Sequence, residues 1–245
     1  HDLPNFERLL GDGSQMGVHF TYKVQETPNG LAQAFVLGEE FIGDDDVCLI
    51  LGDNIFYGNH FGSMLRDAAK NTITRKRATV FGKYVNDPER FGVAEINTET
   101  GQVLSLEEKP KVPKSNYAVV GLYFYDNRVV KYAKELKPSA RGEYEITDLN
   151  RIYLEQGELD CRVMGRGFAW LDTGTIESLA EATNYVKIIE DVQGVKISVP
   201  EEIAYYNHWI DEEAVMNAAE AYGKSTYGAY LRNVLKKKVH TTYNK

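Results

Sequence analysis

Cysteine, proline, tryptophan and histidine are all scarce in this chain of 245 residues, with 2, 7, 2 and 5 of each. Cys48 and Cys161 lie far apart in apolar, strand-like runs. They build no disulfide framework and read as reduced core residues, which points to a cytoplasmic setting. His1, His19, His60, His208 and His240 fall into no metal-ligand spacing. There is no serine nucleophile elbow and no arguable Cys–His pair, so covalent catalysis has little support. No run approaches the ~18 apolar residues of a membrane span, and no signal-peptide pattern is visible. Positive charge is short too: 28 Lys and Arg stand against 36 Asp and Glu, a net charge of −8. That balance excludes a nucleic-acid binder working through bulk electrostatics, and an anionic substrate then needs locally placed cations or a metal.

What is present is alternation. An apolar share of 43% in a chain this long can bury roughly 70% or more of its unfolded surface without staples. "PNFERLL" (4–10) reads as a short helix closed by Gly11, and "VHFTYKV" (18–24) alternates like a strand. Asn29 is a plausible N-cap for a helix carrying Leu31, Ala34, Phe35 and Phe41 on one face. Residues 47–51 read as a strand covered on both faces. A helix near 60–70, a strand at 78–85 and a hairpin through Gly101 follow, then a buried strand at 117–125. Helices are expected at 127–136, 145–156 and 176–190, and strands at 158–164 and 194–199. Beyond Pro200 the pattern turns mainly helical, and Lys236, Lys237 and Lys238 suit a solvated helix end. The alternation predicts an α/β sheet with helices on both faces. We expect an α/β domain over 1–199 and a helical extension over 200–245.

Four stretches carry chemistry. "CLILGDNIFYG" (48–58) runs an apolar strand into Asp53, and "GRGFAWLDTGT" (165–175) runs another into Asp172. Ligands of doubly wound sheets bind beyond the carboxyl ends of strands. Taken alone, Asp53 is as well a turn former and Asp172 an N-cap. As a pair they can share a hard cation, since Mg²⁺ takes one or two carboxylates plus phosphate oxygens and water. "SLEEKPKVPKSNYAV" places Glu107, Glu108 and Lys109 at a strand end, where a lysine reaches phosphate as a mobile point charge. "VQETPNGLAQA" sets Gly30 and helix-start amides after a strand, a weak anion or nucleobase site. The set suits metal-assisted phosphoryl or nucleotidyl transfer.

In order along the chain, "VQETPNGLAQA", "LGDNIFYG", "NDPERFGVAE", "SLEEKPKVPKSNYAVVGLYFYDN", "KPSARGEYEITDLNRIYLEQG" and "GRGFAWLDTGT" together resemble the sugar nucleotidyltransferases of the glucose-1-phosphate thymidylyltransferase type. The resemblance runs to about Tyr205. It implies a Rossmann-like three-layer α/β sandwich with a mixed, mostly parallel sheet. It further implies Mg²⁺-dependent joining of dTTP, or of UTP in a uridylyltransferase, to glucose 1-phosphate with release of pyrophosphate. Nucleotide-sugar biosynthesis of the dTDP-rhamnose kind, a cytoplasmic homotetramer, and no nucleic-acid or membrane partner also follow from it. Residue by residue it makes Asp53 and Asp172 metal ligands and Lys109 the sugar-phosphate contact. Glu108 then holds sugar hydroxyls, Gly92, Val119 and Tyr123 complete the sugar pocket, and Gln25, Gly30 and Leu31 read the pyrimidine.

Two features depart from that family. It opens with a Gly-rich strand–loop–helix that cradles the triphosphate, and no such segment appears here. The expectation is therefore that a strand–helix–strand unit of about 30 or more residues precedes His1 in the intact protein. Otherwise the chain is a non-catalytic nucleotide-sugar-binding module, or a fragment with an incomplete sheet. Tyr206 stands where an arginine of a regulatory nucleotide-sugar site is expected, although Gly58 and Arg166 remain compatible with such a site.

Overall fold

The computed structural model describes residues 2–97 and 99–239, so His1 and His240 lie outside the described residues. The chain falls into two compact units, residues 25–178 and residues 1–24 with 179–245. In chain order the helices are α1 (Leu3–Leu10), α2 (Gln33–Leu37), α3 (Glu39–Ile42), α4 (Phe61–Arg75), α5 (Arg128–Glu135), α6 (Ile146–Glu155), α7 (Ile176–Gln193), α8 (Pro200–Tyr206), α9 (Glu212–Ala221) and α10 (Thr226–Leu235). The strands are β1 (Val47–Ile50), β2 (Asn54–Gly58), β3 (Ala78–Tyr84), β4 (Gly92–Ile96), β5 (Val103–Glu108), β6 (Tyr117–Tyr125), β7 (Leu159–Met164) and β8 (Phe168–Asp172).

Unit 25–178 is organised by β6. Its period-2 alternation sends Val119, Tyr123 and Tyr125 to one face, where they meet Phe35, Leu149 and Tyr153 of α2 and α6. Val120, Leu122 and Phe124 go to the other face, with Ala68 of α4, Phe81 of β3 and Met164 of β7. Each such side chain removed from water contributes about 1.5–3 kcal/mol, so helices flank the sheet on both faces as the alternation predicts. The sheet order is β5-β4-β6-β3-β7, with β1 also on β6. It is mixed, but only β3–β7 is parallel among the described pairings; β1–β6, β3–β6, β4–β5 and β4–β6 are antiparallel. The expected mostly parallel sheet is thus corrected. Strands β3 to β6 follow one another through short connections, which suit antiparallel neighbours, while α5 and α6 intervene before β7 returns parallel.

Other expectations shift locally. Residues 18–23 keep an alternating burial pattern, Val24 is exposed, and none of 18–24 joins a ladder among the described residues. Residues 194–199 form no strand and lead into α8. The helix expected from Asn29 is two short ones parted at Gly38, with Phe35 and Ile42 buried but Leu31 and Phe41 exposed. Strand β1 is open on one face: Cys48 and Ile50 are exposed, so Cys48 is not a core residue. Cys161 is half-buried and free, and burial pushes its thiol up to about 12. In the second unit, α8, α9 and α10 enclose Val215, Ala219, Leu231 and Val234. Asp211 caps α9 by accepting from Ala214 N at 2.9 Å, and Ser225 caps α10 from Gly228 N at 3.1 Å.

Candidate functional site

One long edge of β6 is taken by β3; the other is shared between β4, paired at Ala118, and β1, paired from Leu122 onward. Between them Gly121 must satisfy its backbone without a strand partner. Leu51 N donates to its carbonyl at 2.9 Å, and Asn54 Oδ1 accepts from its N–H at 3.2 Å. The turn containing Gly52 and Asp53 is thereby pinned at the opening in the sheet. Strand β2, which sequence patterning did not separate from β1, then pairs antiparallel with β8, setting Asn54 directly opposite Asp172.

The two aspartates converge. Asp172 Oδ1 accepts from Gly174 N at 2.9 Å. A methyl on Gly174 would lie 2.9 Å from Asp172 Oδ1 and 4.0 Å from Asp53 Oδ2. Two hard carboxylates around one small residue form a donor set that fits a divalent cation completed by phosphate oxygens and water. Among the described residues no group of three or more His, Cys, Asp or Glu offers a fuller ligand set.

Beside them opens a cavity of about 550 Å³. Leu31, Gly92, Glu108, Lys109, Val119, Tyr123 and Asp172, all expected from sequence, line it; Asp53, Gln25 and Gly30 do not. Gln25 is exposed and donates to Gln33 Oε1 at 2.7 Å and Gly30 O at 3.3 Å. Gly30, at φ +113, lets the chain press on Tyr144, whose N donates to Asn29 O at 2.7 Å and whose O accepts from Ala32 N at 3.2 Å. The amides of Ala32, Gln33 and Ala34 are all used internally. These contacts fix the turn that carries Leu31 to the cavity.

Glu108 lines the cavity between Thr147 and Lys109. Burial raises its carboxyl above the ordinary range; the Thr147 Oγ1 donor at 2.5 Å opposes this, Glu145 adds to it, and Lys109 and Arg141 counter it. Tyr123 is buried, and desolvation with the nearby Glu108 pushes its phenol upward, so it stays a neutral hydroxyl. Lys109 adopts φ +43, unusual for a side chain with a Cβ, and its N donates to Phe91 O at 3.0 Å. Sequence reading missed Arg141 and Thr147. Arg141 meets Glu143 at 3.0 Å, Glu145 at 3.4 Å and Glu108 at 3.5 Å. Both lie in the quoted "ARGEYEIT" stretch, where charge density was the available signal. Gly58 packs against the Phe168 ring and Arg166 is exposed; Tyr206 belongs to the other unit, where its ring lies 5.5 Å from that of Tyr205.

Residues 1–188 match the family model described as nucleotidyl transferase. The glucose-1-phosphate thymidylyltransferase of Neisseria meningitidis is 56% identical over 236 residues, covering 96% of this chain and 81% of its own length. A solved structure reported as a glucose-1-phosphate thymidylyltransferase from Bacillus anthracis, in complex with a sucrose, is 42% identical with a TM-score of 0.68, covering 81% of this chain and 75% of that one. A UDP-glucose pyrophosphorylase complexed with UDP-glucose is 25% identical with a TM-score of 0.62, over 70% and 67% of the two chains.

Proposed function

The chain belongs to the nucleotidyl transferase family, and on that premise we propose that it transfers a thymidylyl group from dTTP to α-D-glucose 1-phosphate, giving dTDP-glucose and pyrophosphate. The observation that carries the reading is the approach of Asp53 and Asp172 to Gly174, at the border of a cavity that also holds Lys109 and the half-buried Glu108.

The reaction is a single in-line displacement. A sugar-phosphate oxygen attacks the α-phosphorus, the bond to the bridging oxygen breaks, and pyrophosphate leaves with that electron pair; no covalent enzyme intermediate forms. Lys109 neutralises charge on the sugar phosphate. Glu108, oriented by Thr147 Oγ1, accepts from sugar hydroxyls, while Gly92, Val119 and Tyr123 shape the sugar pocket. Leu31, with Gly30 and Gln25, faces the pyrimidine. Asp53 and Asp172 would hold Mg²⁺, which would supply charge neutralisation to the phosphates. Holding the two anions in line supplies much of the rate. The same reading includes a homotetramer and a cytoplasmic location.

The test is Mg²⁺-dependent pyrophosphate release with dTTP and UTP in parallel. Asp53→Asn is expected to lower release about 100-fold or more, since a metal supplies several kcal/mol and each tenfold is about 1.4. Near-normal turnover in that variant removes Asp53 from the site, and faster release from UTP replaces thymidylyl by uridylyl transfer.

A further inference from the structure

Asp53 sits in a turn between β1 and β2, outside any ladder, where a carboxylate has no reason to hold one position. Two bonds to a single neighbour fix its backbone: Thr173 N and Thr173 Oγ1 both donate to Asp53 O, at 2.9 and 2.8 Å. Its side chain is fixed separately, because Asn54 Nδ2 donates to Asp53 Oδ1 at 2.7 Å. That bond engages Oδ1 and leaves Oδ2 as the oxygen 4.0 Å from the point beside Gly174 that Asp172 also borders. Asn54 is itself anchored, its Oδ1 accepting from Trp170 Nε1 at 2.6 Å and Gly121 N at 3.2 Å.

The arrangement is reciprocal. The residue after Asp53 pairs across the β2–β8 ladder with Asp172, and the residue after Asp172 binds back to Asp53. The Thr173 N–H merely extends the ladder by one step, as any residue could. The hydroxyl is the addition that only Thr or Ser supplies.

We propose that Thr173 is a positioning residue whose hydroxyl, together with the Asn54 amide, locks the Asp53 carboxylate in register with Asp172 and so sets the affinity of the pair for a divalent cation. The inference rests on the reading of Asp53 and Asp172 as cation ligands and adds how their spacing is held. Partners that orient a ligand from behind are typically worth about 10- to 100-fold in metal affinity. An indirect hold on the turn belongs at the lower end, about tenfold.

The experiment titrates the full chain with Mn²⁺ alone, following the free ion by its paramagnetic resonance signal. Thr173→Val keeps the backbone donor and the side-chain shape while deleting the hydroxyl, Thr173→Ser retains it, and Asp53→Asn is the reference. The expected result is about tenfold weaker Mn²⁺ binding in Thr173→Val, affinity restored in Thr173→Ser, and unfolding midpoints alike in the two. Equal binding by wild type and Asp53→Asn would overturn the cation reading itself. Loss of binding in Asp53→Asn with wild-type affinity in Thr173→Val would overturn the lock and leave that reading standing. Thr173→Ser as weak as Thr173→Val would also count against it, because the hydroxyl would then not be what matters.

Discussion

Thr147→Val isolates one bond of the cavity. The hydroxyl of Thr147, itself buried, donates to Glu108 Oε2 at 2.5 Å, and the Glu108 side chain is 19% exposed. The next donor, Arg141, stands 3.5 Å away, so the lost bond has no ready replacement. A hydrogen bond to an ionised acceptor is worth about 1.5–3 kcal/mol, a neutral one about 0.5–1.5. Burial holds the Glu108 carboxyl above its ordinary value of 4.5, so the folded chain binds this proton more tightly than the unfolded one. The stability from that proton is present below 4.5 and is lost as pH rises through the folded value. Deleting the hydroxyl removes a bond that favours the ionised form, which raises the folded value further. The variant should therefore lose about 1.5–3 kcal/mol at pH 7 and about half as much at pH 4. Urea unfolding followed by tryptophan fluorescence reads this directly. With Trp209→Phe as background, the remaining tryptophan, Trp170, reports unit 25–178. An equal loss at both pH values would refute the assignment of Glu108 as the group that Thr147 stabilises in its ionised form.

Gly30→Ala combines φ +113 with a methyl 2.4 Å from Tyr144 O, backbone against backbone. It should cost at least about 1–3 kcal/mol in the same urea assay, and a silent substitution would mean that the 29–32 turn does not press on Tyr144. Gly121→Ala would set its methyl 2.7 Å from Leu51 Cδ1 and 2.8 Å from Asn54 Oδ1. We expect about 1–3 kcal/mol of destabilisation from overpacking together with weaker Mn²⁺ binding as Asn54 is displaced; unchanged Mn²⁺ affinity would uncouple β6 from the Asp53 turn.

Periodicity read well wherever a segment meets its partners locally. The β4–β5 hairpin through Gly101, the nine residues of β6 and helices α5 to α7 all lie within a few residues of expectation, while α4 runs on to Arg75 instead of ending near 70. It failed where the pattern fixes a face but not a partner. Residues 18–23 alternate in burial without a neighbour to pair with among the described residues. The run at 48–51 is apolar, yet β1 covers only one side of itself. Asp53, Asp172 and Lys109 drew attention only as a set, because each charge at a strand end taken singly serves as well for a turn or a cap. Arg141 and Thr147 did not, because residues 139–147 reach the end of β5 only through the tertiary fold. Spacing along the chain carries no trace of that approach.

The opening in the edge of β6 explains why an apolar strand ends in an aspartate. A continuous sheet would carry β1 past Leu122 toward β4, and an acid there would be buried against the core. Instead β1 stops at Ile50, and Gly121 takes its two hydrogen bonds from Leu51 and Asn54. The turn needs an amide that can both accept and donate, and Asn54 supplies it. The Asp53 side chain, by contrast, takes no part in satisfying Gly121. The same bonds that satisfy Gly121 therefore hold a carboxylate outside the core, opposite the strand end that carries Asp172. Satisfying the sheet backbone and placing the charge are one structural solution.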